Sequence, residues 1–392
     1  MSECIFDKVI DRKNTHSLKF DFAERHGQRA DALPLWVADM DFSAPKCVVD
    51  ALSKEVQRGI FGYGEPLDSY YEAVQGWFKK YYGWETDREW LVKTPGIVYA
   101  LAMAVQAFTK EGEAVLIQPP VYYPFTNVIK YNNRKIAESP LVYKDGKYSV
   151  DFEDFEKKAS DENVKLFMLC SPHNPVGRVW TKEELSKMGA ICKKHGVRIV
   201  ADEIHCDFAF DDHPHTTFCL AVPDMASIVC VCSAPSKTFN LAGLQTSNIC
   251  IPGEEMREQF KAAIDASGYT QPNLLGITAC EAAYKDGREW FEECKKYLHN
   301  NLDFMRDYLE KNIPQLKLVE PEGMYFAWVD CSGLGLSSDE LEDLVSNKAG
   351  LWLDSGKIFG KSAEQFQRFV LACPRSTLEK ALVQLKEAVD NI

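Results

Sequence analysis

Through the middle of the chain, short apolar runs alternate with segments whose apolar positions recur every three or four residues. Ala114–Gln118, Lys165–Cys170, Arg198–Ala201, Ser227–Cys232 and Asn248–Ile251 are short and apolar nearly throughout. They predict strands of a largely parallel sheet that is buried on both faces. Between them, Thr181 and Glu184 have capping-box spacing and open a helix through Lys194, which His195-Gly196 ends. This alternation predicts an α/β fold with helices on both sides of the sheet. From about Asp286 the chain turns more helical and more charged. Ser376 and Glu379 have the spacing of another capping box, with Leu378, Leu382, Leu385 and Val389 on one helical face. A second, smaller domain is expected there, joined by the N-terminal segment.

Composition excludes several classes. With 45 basic and 58 acidic residues among 392, the net charge is 45 − 58 = −13. A field of that sign opposes general nucleic-acid binding, although a local cation cluster still suits a small anion. No apolar run approaches the roughly 18 residues of a membrane span, and Met1 to Asn14 show no signal-peptide pattern. Thirteen cysteines are scattered from Cys4 to Cys373 without the spacing of a disulfide framework. Cys170, Cys230, Cys232 and Cys250 sit in apolar runs, where a reduced thiol packs as a small hydrophobe. The reducing cytosol is the expected compartment.

Four segments carry candidate chemistry. Ser233-Ala234-Pro235-Ser236-Lys237 follows a predicted strand directly. Ligands of open α/β sheets sit beyond the carboxyl ends of strands, so Lys237 is either a surface-loop lysine or a nucleophile placed at such an end, with serine hydroxyls for a phosphate. Asp202 ends the run before Glu203-Ile204-His205. It is a strand-end cap or an anion that keeps a ring nitrogen protonated. Asn174 lies between two prolines in Ser171-Pro172-His173-Asn174-Pro175-Val176-Gly177, which suits a turn or a fixed hydrogen-bonding amide. Thr94-Pro95-Gly96-Ile97-Val98 opens a helical run to Phe108, whose first N–H groups favour an anion. His205, Cys206, Asp211, His213, His215, Cys230 and Cys232 lack the spacing of a zinc site, and no metal is expected.

In order and spacing, these segments resemble the fold-type I enzymes that use pyridoxal 5′-phosphate, the aspartate-aminotransferase-like superfamily. Leu35-Trp36-Val37-Ala38-Asp39-Met40-Asp41-Phe42 and Ser236-Lys237-Thr238-Phe239-Asn240-Leu241-Ala242-Gly243-Leu244-Gln245 are similar to its C–S lyase branch, which contains the cystathionine β-lyases and cysteine-S-conjugate β-lyases. The resemblance runs from Trp36 to Arg375. It implies a large cofactor-binding domain over residues 46–285, with a mostly parallel sheet between helices. A smaller α+β domain would be formed by residues 1–45 with 286–392.

It also implies residue roles. Lys237 would join the cofactor covalently and later take the substrate Cα proton. Asp202 would pair with the ring nitrogen, and Asn174 and His205 with the phenolic oxygen. Tyr122 would stack on the ring. Gly96, Ile97, Ser233 and Ser236 would hold the phosphate, together with Tyr63 from a partner subunit, which implies a homodimer with shared active sites. Arg368 would bind the substrate α-carboxylate, and its neighbour Arg375 is read as structural. Tyr123 is a candidate to protonate the leaving thiolate. The implied reaction is elimination from an S-substituted L-cysteine to thiol, pyruvate and ammonia, with an aminotransferase as the alternative. Gln245 stands where many aminotransferases of the superfamily carry a phosphate-binding arginine, and the lyase branch shares that replacement.

Overall fold

The computed structural model describes residues 4–392. Seven strands make the central sheet: β1 (Leu91–Thr94), β2 (Ala114–Ile117), β3 (Lys135–Glu138), β4 (Val164–Cys170), β5 (Arg198–Asp202), β6 (Val229–Ser233) and β7 (Ser247–Cys250). Their order is β1-β7-β6-β5-β4-β2-β3. β3, β2, β4, β5 and β6 are mutually parallel, and β7 runs antiparallel to both of its neighbours.

All five expected strand segments are present. The run expected from Ser227 begins at Val229, because Pro223–Ile228 forms a 3-10 turn. β1 and β3 were not anticipated. β3 is a sheet-edge strand with both termini exposed, so its sequence Lys-Ile-Ala-Glu lacks a buried strand's apolar continuity.

Helices cover both faces. On one face, Val115 and Ile117 pack with α3 (Ile97–Phe108) and α5 (Glu254–Ala266). On the other, Leu116 packs in a core shared with α1 (Lys46–Arg58), α2 (Asp68–Tyr82), α4 (Lys182–His195) and α6 (Leu274–Asp286). The expected start and stop of α4 are both present. Thr181 and Glu184 form the reciprocal capping box, and Gly196 closes the helix at φ 69°. Gly276 of α6 meets the turn after Lys237 so closely that a Cβ there would lie 1.9 Å from Thr246 Oγ1.

After α7 (Arg288–Asn312), a second sheet forms from β8 (Lys317–Val319), β9 (Phe326–Asp330), β10 (Asp354–Ser355) and β11 (Phe366–Val370). Its order is β8-β9-β11-β10, antiparallel throughout. The N-terminal segment joins this part of the chain: Leu33–Pro34 pairs in parallel with Leu351–Trp352, and Trp36 stacks on Trp352 at 4.2 Å. The last helix, α8 (Arg375–Asp390), places Leu378, Leu382, Leu385 and Val389 in the core as expected. Its expected Ser376–Glu379 capping box does not form. Pro374 takes the N-cap position, so Ser376 lies inside the first turn and cannot cap it.

Candidate active site

The carboxyl ends of β4, β5 and β6 lie side by side, with Cys170, Asp202 and Cys232 in register. The segments that follow these strands line a cavity of about 400 Å³ with Asn174, Asp202, His205, Ser236 and Lys237. Gly96, Ile97, Tyr122 and Gln245 line it as well. Residues some 140 positions apart thus meet because parallel strands end on one side of the sheet.

Lys237 sits in the helical turn Pro235–Thr238 immediately beyond β6. Its Nζ donates to the Ala38 carbonyl at 2.7 Å. Burial is the largest influence on the amine and pushes its pKa down to about 8, with Arg368 acting in the same direction. The Tyr325 hydroxyl also donates to the Ala38 carbonyl, at 3.2 Å, and the segment that follows Ala38 is held in place. Asn240 Nδ2 donates to the carbonyls of Met40 and Phe42, each at 2.9 Å. Arg12 and the fully buried Lys19 pair with Asp39 and Asp41.

Asp202 is 3% exposed and forms no ion pair among the described residues. Its Oδ1 accepts from Ile204 N at 3.2 Å. Burial outweighs the Ile204 hydrogen bond and the nearby Lys237 charge and raises its pKa to about 7. His205 is also buried, and its Nδ1 has no partner. Burial, then the charges of Lys237 and Arg368, push its pKa well below the ordinary value and keep it neutral. Asn174 Oδ1 accepts from Arg368 Nη1 at 2.9 Å, which leaves the amide NH₂ group to donate. No side chain caps α3, so its first N–H groups face the cavity end unclaimed by a cap.

Arg368 occupies the middle of β11, 2% exposed, with its guanidinium over the Phe326 and Phe359 rings at 4.5 and 5.2 Å. It donates to Asn174, to the Trp36 carbonyl at 2.8 Å and to Asp354. Tyr123 is half-buried beside Tyr122, with ring centroids 5.5 Å apart. Burial and the Asp354 charge raise its pKa, which keeps the hydroxyl protonated. Arg375 lies elsewhere and is structural, as read: it donates to Asn301 Oδ1 and the Asn300 carbonyl.

Four expected site residues are not among those lining the cavity: Arg368 and Tyr123, described above, and Ser233 and Tyr63. Ser233 is buried within β6 and donates its hydroxyl to the Asn248 carbonyl at 3.0 Å, a contact within the sheet. Ser236, by contrast, lines the cavity. Tyr63 is 96% exposed and lines a separate groove with Phe61 and Thr270. Conversely, Ala38, Val98, Thr246 and Asp354 belong to the site or touch its residues and were not singled out. Ala38 lies in the compact Trp36–Phe42 run, which was a visible signal. Asp354 gave none, since a lone aspartate two residues from a glycine reads as a turn.

Two of the metal-type residues near His205 are engaged by other partners. His215 Nε2 meets Glu203 Oε2 at 3.0 Å, and Asp211 pairs with Lys295.

Comparison with known proteins gives the same picture. The family model described as aminotransferase class I and II matches residues 30–385. Cystathionine beta-lyase PatB of Bacillus subtilis is 43% identical, over 98% of this chain and 99% of its own. Cystalysin of Treponema denticola, solved with pyridoxal 5′-phosphate, is 38% identical, covers 98% of both chains and superposes with a TM-score of 0.95. The PLP-bound C–S lyase of Staphylococcus hominis, solved with L-cycloserine, is 34% identical with a TM-score of 0.92, covering 98% of this chain and 99% of its own. Matched along almost its whole length, the chain belongs to the aminotransferase class I and II family.

Proposed function

We propose that the protein is a pyridoxal 5′-phosphate-dependent carbon–sulfur β-lyase of the cystathionine β-lyase type. The observation that carries this reading is the half-buried Lys237 amine sharing one cavity with Asp202, which has no ion-pair partner among the described residues, in a chain 43% identical to a cystathionine β-lyase. The cavity's residues fit the cofactor. Asp202 is a buried carboxylate with no ion-pair partner among the described residues, a place that a protonated ring nitrogen would fill. The orphaned His205 Nδ1 and the Asn174 amide suit the phenolic oxygen. The first turn of α3 at Gly96 and Ile97, with Ser236, suits the phosphate. Gln245 lines the cavity where a phosphate-binding arginine would stand, so phosphate binding rests on neutral donors.

When bound, the cofactor supplies an aldehyde that joins amines and a ring that withdraws electrons from the substrate Cα. The chain's residues do the rest. Arg368 grips the α-carboxylate, since a guanidinium offers two parallel N–H groups. Tyr122 packs against the ring. Asp202 holds the proton on the ring nitrogen. Lys237, with a pKa near working pH, takes the Cα proton as a general base. Tyr123, kept protonated, gives a proton to the departing sulfur. The products are a thiol, pyruvate and ammonia.

The expected assay result is pyruvate release from an S-substituted L-cysteine without any added keto acid. Strict dependence on a keto-acid acceptor would instead identify an aminotransferase.

The same reading includes a homodimer with Tyr63 reaching the partner's phosphate site. Support comes from the exposed apolar run around it: Ile60, Phe61, Tyr63 and Leu67 are 77%, 62%, 96% and 75% exposed. Sedimentation should give a particle of two chain masses; a single-chain mass refutes the shared site. The division into a 46–285 cofactor domain and a small domain from 1–45 with 286–392 is supported by the pairing of Leu33–Pro34 with Leu351–Trp352. A cytosolic location is supported by thirteen unpaired thiols, eleven of them buried. Among the described residues no helix is long and apolar enough to cross a membrane.

A further inference from the structure

We infer that Asp354 is a carboxylate built into the fold that occupies Arg368 until the substrate carboxylate displaces it, and that it thereby sets how tightly the amino acid head is held. This rests on Arg368 being the carboxylate clamp, as proposed above, and concerns what the clamp holds beforehand.

Asp354 and Arg368 are direct cross-strand partners on β10 and β11. Such a pair brings Cβ atoms to about 5 Å, within easy reach of an ion pair. Asp354 Oδ2 accepts from Arg368 Nη2, with the two side chains 8% and 2% exposed. Among the described residues no donor other than Arg368 reaches this carboxylate.

Four of the five guanidinium hydrogens can be placed. Both Nη2 hydrogens are in use, one on the Trp36 carbonyl and one on Asp354. One Nη1 hydrogen goes to Asn174. The Nε hydrogen is buried without a partner. A two-pronged carboxylate contact needs Nε with Nη2, or Nη1 with Nη2. Either edge requires an Nη2 hydrogen, so one present acceptor must leave.

The Trp36 carbonyl is the fixed one. Its neighbour Leu35 donates to the Trp352 carbonyl and accepts from Val370 N, each at 2.9 Å. Asp354 is held by a side-chain torsion alone. The incoming carboxylate therefore takes Nη2 from Asp354 and satisfies the orphaned Nε with its second oxygen. When the product carboxylate departs, Asp354 returns, and the buried guanidinium is never left bare. The cost falls on affinity, because binding places two anions beside one cation.

The test compares Asp354→Asn, which keeps the shape and loses the charge, with Asp354→Ala, which loses both. Propionate is the probe, because it has a carboxylate and no amine to react with the cofactor. Its competitive inhibition constant in the holoenzyme should fall roughly five- to tenfold in Asp354→Asn. KM for an S-substituted cysteine should fall in parallel and by more than kcat changes. A merely structural Asp354 would do the reverse, since a misplaced Arg368 raises KM. A propionate constant unchanged or raised in both variants overturns the inference. Arg368→Lys separates the two assignments. If it leaves propionate inhibition intact, Arg368 is not the clamp; if it weakens inhibition while neither Asp354 variant tightens it, only the role of Asp354 falls.

Discussion

Replacing Lys237 with alanine is expected to lower elimination by roughly 10⁴-fold or more, because one group both anchors the cofactor and moves the Cα proton. The visible absorbance of a lysine-bound cofactor should vanish with it. The structure explains why this amine suits both tasks. It is half-buried, has its pKa pulled down to about 8, and rests on the Ala38 carbonyl 2.7 Å away. A neutral amine is therefore available near neutral pH, whereas an exposed lysine would be almost wholly protonated. The variant should keep the wild-type fold by circular dichroism, and a small primary amine added to the assay should restore part of the rate. Full turnover without such an amine would show that another residue is the base.

Asp202→Asn is expected to cut kcat by about 10²- to 10³-fold, since a neutral amide cannot hold a proton on the ring nitrogen. Its effect on the cofactor-free protein should have the opposite sign. Burial raises the Asp202 pKa from 3.8 to about 7. Between those values the folded chain binds this proton more tightly than the unfolded chain does. Stability of the cofactor-free protein therefore falls as pH rises from 3.8 toward about 7, then levels off with respect to this group. The loss is on the order of a few kcal/mol. Cofactor-free Asp202→Asn should accordingly melt above cofactor-free wild type at pH 8, with the gap closing toward pH 4. Adding the cofactor should stabilise wild type more than the variant. A wild-type advantage at pH 8 in both forms would show that Asp202 is already paired without the cofactor.

The ion-pair network of the N-terminal segment links these two effects to the rest of the chain. Arg12 and Lys19 hold Asp39 and Asp41, whose segment supplies the carbonyl under Lys237. Asp39 also draws the Lys237 pKa upward, against burial. The amine's readiness is thus a balance between the sheet core and a strap about 200 residues away in sequence.

Much of this site was legible because its chemistry sits where strands end. Asp202, Asn174 and Lys237 each follow an apolar run within a few residues, and a parallel sheet brings such ends together. The Thr181 cap and the Gly196 stop were legible because capping is a local interaction between residues three or four apart. The Ser376–Glu379 spacing misled for a related reason: it satisfies the local rule, but Pro374 starts the helix earlier. β3 was missed because a sheet-edge strand keeps polar residues. Ser233 does not line the cavity, because the hydroxyl of this last residue of β6 donates to the neighbouring strand's Asn248 carbonyl.

By itself, then, the order of apolar runs and turns determined the α/β class, the succession of strands and helices, and which short segments bear reactive groups, since burial and capping act between near neighbours. Only the tertiary structure decided which of those groups share one enclosure and what state they are in there. Asp354 meets Arg368 only because two strands align across a sheet. Asp202, His205 and Lys237 leave their ordinary protonation ranges only because the packed chain removes water from all three at once. Desolvation depends on what surrounds a group from every side, and contacts between distant parts of the chain supply that enclosure.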